Sequence, residues 1–146
     1  MSLQTDLIFV RALSESPSLV KCLDGKIYGT AIPLPDADAD KVAAPYAIVT
    51  FDGLANDVEA KDDSFEGDED TVTVGVLFTA KTNEGIHTLG EAIRSTVRNF
   101  FEGVAEDDAE YSLVPESYVM KASPIEYDPV KPCYYQKLTY SCTTKR

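Results

Sequence analysis

Apolar residues recur at every second position from Thr71 and then at every third or fourth position after Lys81, so a strand passes directly into a helix. Val72, Val74, Val76 and Phe78 alternate with Thr71, Thr73, Gly75 and Leu77, the pattern of a half-buried strand whose second face is mildly polar. Ile86, Leu89, Gly90, Ile93, Val97, Phe100 and Phe101 then form a helical stripe, which is stable only when buried. Thr82 is placed to cap this helix and Glu84 suits its dipole, but Gly85 stands where a capping box needs Glu or Gln. Gly90 costs the helix about 1 kcal/mol relative to Ala and predicts close approach to the sheet.

The same reading extends along the chain. Leu3, Leu7, Ile8, Val10 and Leu13 predict a first helix over 3–14, capped by Ser2 or Thr5. Ser16-Pro17 starts a short second turn of helix to Leu23, and Asp24-Gly25 stops it. Residues 26–32 read as a short edge strand, and 33–45, rich in Pro and Ala, as a loop. Tyr46–Leu54 is a strand expected to pair antiparallel with 71–80, because 55–70 offers no helix for a parallel crossover. That connection reads as an exposed acidic loop, with Val58 and Phe65 as its anchors to the sheet or to a neighbouring subunit. Beyond an acidic turn after Gly103, two more strands are expected at 117–127 and 133–143, the first interrupted by Pro124. Tyr134, Gln136, Leu138, Tyr140 and Cys142 form the expected core face of the last strand. The sum is an α+β fold: a mostly antiparallel sheet of four to five strands packed against two helices, in one domain over 1–146.

Length supports one domain and one core, since 146 residues suffice to bury roughly two thirds of the extended surface. The formal net charge of -12 disfavours adhesion to nucleic acid or anionic membrane. Acidic side chains crowd residues 36–70, whereas 130–146 carries Lys131, Lys137, Lys145 and Arg146 and no acid. Opposite charges on opposite faces of a protomer are one way for identical subunits to orient. Cys22, Cys133 and Cys142 lack metal or disulfide spacing, which predicts a reduced, intracellular setting. No basic leader, cleavage site or long apolar run appears, so a soluble, unprocessed chain is expected.

Candidate chemistry is sparse. His87, the single histidine, lies beside the apolar stripe with no partner for general base or metal work. Asp36, Asp38 and Asp40 imitate the start of a calcium loop, but Lys41 occupies the glycine position and Ala47 the final glutamate position. No phosphate-binding or zinc motif is present. Catalytic, cofactor and metal residues are therefore all expected to be none. An enzyme or small-ligand domain, the competing class, would need Tyr111, Tyr118, Tyr127 and His87 to converge on a pocket.

The order of elements, with Pro45 to Phe51 (PYAIVTF), Val72 to Thr79, Asn83 to Val97 and the GKIYG segment at 25–29, resembles the phage tail-completion or tail-terminator family. The resemblance spans nearly the whole chain and rests on packing and turn patterns. It implies a structural protein that assembles as a hexameric ring, caps the tail tube and forms the tail side of the head–tail joint. Its implied partners are copies of itself, the tube protein and a head-completion protein, with DNA passing without adhesion and no membrane. The implied location is the host cytoplasm during assembly and then the virion tail. Expected assembly contacts are Val58, Phe65, Asp68, Glu69, Asp70, Tyr118 and Lys137, with the edges at 26–32 and 117–127 available to pair across subunits.

Overall fold

Only Lys81 and Thr82 separate strand β3 (Glu69–Ala80) from helix α3 (Asn83–Gly103) in the computed structural model, which describes residues 5–29, 44–56, 69–103 and 113–145. Thr82 performs the expected cap: its Oγ1 accepts the Gly85 N–H at 2.9 Å. Val72, Val74, Val76 and Phe78 are fully buried beneath a helix face formed by Ile86, Leu89, Ile93, Val97 and Phe101. At Gly90 an added Cβ would lie 3.1 Å from the Phe78 ring, which is the close approach the sequence predicts.

Two more helices complete the covered side. Helix α1 (Thr5–Ser14) packs on α3 and on the sheet, and α2 (Pro17–Leu23) bridges α1 and α3. Pro17 opens α2 and Asp24 closes it in the left-handed region at φ 52°, with Gly25 donating its N–H to the Val20 carbonyl at 2.9 Å. Leu7 departs from the expected apolar stripe and is 38% exposed, while Phe9 and Ala12 are buried. Sandwiching α1 between the sheet and two helices shifts its buried arc toward Phe9 and Leu13, leaving Leu7 at the margin.

Strands β1 (Ile27–Tyr28), β2 (Tyr46–Ala55), β4 (Leu113–Ala122), β5 (Glu126–Asp128) and β6 (Cys133–Lys145) join β3 in one sheet, ordered β1-β2-β3-β6-β4 with β5 also on β6. β1 and β2 are parallel and every other pair is antiparallel, including the expected pairing of β2 with β3. The sheet is open, and its strand count exceeds the expected four to five because Pro124 divides the 117–127 segment. β4 and β5 lie end to end along β6, with Ser123 to Ile125 between them. On β6, Leu138, Tyr140 and Cys142 are buried as expected, with Tyr134 and Gln136 half-buried. Cys133, from the opposite set, is also buried, at the turn that joins β5 to β6.

The expected loop at 33–45 is described only from Ala44, where a cis Ala44–Pro45 peptide leads into β2. The calcium-like Asp36, Asp38 and Asp40, the acidic turn after Gly103, and Tyr111 lie outside the described residues.

Candidate functional site

Helices α1 and α3, bridged by α2, pack on one face of the sheet, which leaves the other face to Ile48, Thr50, Asp52, Thr73, Gly75, Leu77, Lys137, Thr139 and Ser141. This face is mixed, with four hydroxyl-bearing residues beside Asp52, Lys137, Ile48, Leu77 and Gly75. At its centre the Lys137 Nζ of β6 meets the Asp52 Oδ2 of β2 at 3.0 Å, and Thr50 Oγ1 donates to Asp52 Oδ1 at 2.7 Å. Asp52 sits at the register shift between Phe51 and Gly53 and, two residues on from Thr50, shares the face of Ile48 and Thr50. Of the predicted contacts, Lys137 is thus placed on the open face.

Asp70 corrects an expectation. The exposed acidic loop was expected to reach residue 70, but the β3–β6 ladder continues through Asp70↔Thr144 and Glu69↔Lys145. Asp70 is 7% exposed and its Oδ1 accepts a hydrogen bond from Asn56 Nδ2 at 2.6 Å. Extra backbone pairing with the long β6 strand draws it into the sheet. Glu69 joins the same strand, whereas Val58, Phe65 and Asp68 lie outside the described residues.

Tyr118 stands on the helix-covered face. Its ring lies 4.7 Å from Phe101 and 5.6 Å from Tyr140, and Phe9 joins them 5.4 Å from Tyr140. This aromatic cluster ties α1 and the end of α3 to β4 and β6. The Tyr140 hydroxyl is buried there without a hydrogen-bond partner among the described residues. Desolvation raises the Tyr140 pKa above its ordinary value, and burial pushes the Cys142 thiol up to about 12.

The described residues of the competing pocket, Tyr118, Tyr127 and His87, do not converge. Tyr118 pairs opposite Cys142 and Tyr127 opposite Tyr134, eight steps apart on β6 and therefore roughly 26 Å apart along the strand. His87 is exposed on α3. A separate cavity of about 450 Å³ lies between α2 and the start of α3, with Cys22, Pro45, Ala80, Thr82, Glu84 and Leu89 among its lining residues. Its one thiol, Cys22, has no histidine among the lining residues. Among the described residues no group of three or more His, Cys, Asp or Glu could hold a metal ion, and no helix is long and apolar enough to cross a membrane.

No protein-family model matches the chain, and no curated protein sequence is similar to it. Solved structures do match by shape. One is a chain of the virion of a native gene transfer agent particle, with a TM-score of 0.53, 11% identity, and coverage of 94% of this chain and 92% of that one. At that identity the likeness is one of fold, and it holds over nearly the full length of both chains.

Sequence reasoning did not find the Asp52–Lys137 contact. The one local signal was Gly75 within a β-branched strand, which marks a place where something approaches the backbone closely.

Proposed function

We propose that this chain is a structural subunit of a phage or gene-transfer-agent type particle, acting as the ring that caps the tail tube at the head–tail joint. The observation that carries this reading is the near full-length fold likeness to a chain of a gene transfer agent virion. The family resemblance of the PYAIVTF strand and of the strand–helix unit supports the narrower role. In this reading six copies close a ring, the tube protein and a head-completion protein are its partners, and DNA passes without sticking. The protein works in the host cytoplasm during assembly and then in the virion tail, and it is not an enzyme. An acidic chain suits passage of DNA, because basic side chains would bind the phosphate backbone.

Native mass spectrometry and electron microscopy test this, on the chain alone and with the tube protein. The expected result is a closed ring of six times the 16.0 kDa chain mass, seated on one end of the tube. A chain that stays monomeric under both conditions would sink the ring.

A further inference from the structure

β1 and β4 end the sheet, and the pairing pattern makes them run in opposite directions: β1 is parallel to β2, and three antiparallel steps lead from β2 to β4. β4 is also the longer edge. The Ser123 N–H donates to the Lys137 carbonyl at 2.9 Å, which makes this a hydrogen-bonded pair just beyond Ala122↔Leu138. By the alternation of an antiparallel ladder, Lys121 and Val119 bond to β6, while the backbone groups of Ala122, Met120 and Tyr118 point away from it. Their outward N–H and C=O groups have no partner among the described residues. Beside them Val119 is 63% exposed and Ala122 is exposed.

We infer that the outer edge of β4 is an intersubunit contact, pairing antiparallel with the β1 edge of a second copy of this chain. The inference rests on the ring proposed above and names the contact that closes it. Unpaired edge groups of this kind are a template for an added strand. Two opposed edges of one sheet let every copy use the same pair of surfaces, head to tail, and such a heterologous contact closes into a ring when its rotation permits. The open face then stays on one side of every subunit. Lys121, at the β4 edge, limits uncontrolled stacking while leaving the backbone free to pair.

Residue-resolved hydrogen exchange on the wild-type chain, monomeric and assembled, tests the contact. The Met120 and Ala122 amides should exchange freely in the monomer and slow by about tenfold or more in the ring, while Val119 and Lys121 stay protected in both. Ala122→Pro removes one outward donor from an exposed position and should abolish the ring while the monomer keeps its circular dichroism. A ring in which Met120 and Ala122 still exchange freely, or one that Ala122→Pro leaves at full mass, overturns the edge contact and leaves the ring standing. Absence of any ring, with or without the tube protein, overturns both.

Discussion

Lys137 reaches Asp52 across an intervening strand, and Gly75 is what lets it pass. In the register, Gly75 of β3 lies between Thr50 of β2 and Thr139 of β6. A Cβ there would meet the end of the Lys137 side chain, and would lie 2.6 Å from Asp52 Oδ2 and 2.8 Å from Thr50 Oγ1. The ion pair is therefore laid over bare backbone at the middle of the open face, and it links the side chains of β2 and β6 across β3.

With side chains 39% and 25% exposed, this pair contributes only about 0.2–1 kcal/mol. Lys137→Ala should cost less than about 1 kcal/mol in urea unfolding at low salt, with the difference shrinking at high salt. Gly75→Ala should remove the same salt-dependent component, because the methyl displaces the flexible ends of Lys137 and Asp52. A Gly75→Ala variant that keeps the full salt dependence would show that the pair survives beside a methyl group.

Gly90 presents the opposite balance. Ala at this position gains about 1 kcal/mol of helix propensity, but its methyl meets Phe78, which is fully buried and has nowhere to move. Overpacking a close-packed core costs about 1–3 kcal/mol, so Gly90→Ala should be neutral to destabilising by up to about 2 kcal/mol. Gly90→Val should cost more than Gly90→Ala in the same denaturation series. A gain in stability from Ala would mean that α3 lifts off β3 at little cost.

The strand–helix unit was legible because its signal is local: Val72 to Phe78 and Ile86 to Phe101 announce their faces by period alone. The end of α2 was legible for the same reason, in Ser16-Pro17 and Asp24-Gly25. Burial that depends on a distant partner was not. Asp70 reads as loop until Thr144 is known to pair with it, and Cys133 reads as outward until the β5–β6 turn encloses it. The Asp52–Lys137 contact needs the register of three strands at once, which is not written in the spacing of either residue. Pro124 did announce a break, and the pair of strands on either side of it follows from one missing ladder donor.

Tyr140 carries a hydroxyl that the core does not use. It is 1% exposed, packed against Phe9 and Tyr118, and its oxygen has no hydrogen-bond partner among the described residues. An unsatisfied buried polar group costs about 1–3 kcal/mol, so Tyr140→Phe should raise stability, by about 1 kcal/mol. Phe9→Ala, which empties the same cluster, should instead cost about 3–5 kcal/mol. Thermal melts of both variants check this, and a destabilised Tyr140→Phe would mean that the hydroxyl is bonded in solution.

Cysteine chemistry should separate along the same line. Cys22 is exposed, while Cys133 and Cys142 are buried, so a thiol reagent should label one site rapidly in the native protein and the others only on unfolding. The Cys142 thiol, raised from 9.0 to about 12 by burial, stays protonated in the native state when the unfolded chain has already ionised. The unfolded state then binds fewer protons, so this contribution is complete below about pH 9 and is lost as pH rises from there toward about 12, at about 1.4 kcal/mol per pH unit. Tyr140, raised for the same reason, adds to the loss above its ordinary value of 10.0. Urea midpoints should therefore fall steeply above about pH 9, and Cys142→Ala should flatten the first part of that fall. An unchanged slope in Cys142→Ala would place the alkaline sensitivity elsewhere than in the Cys142 thiol.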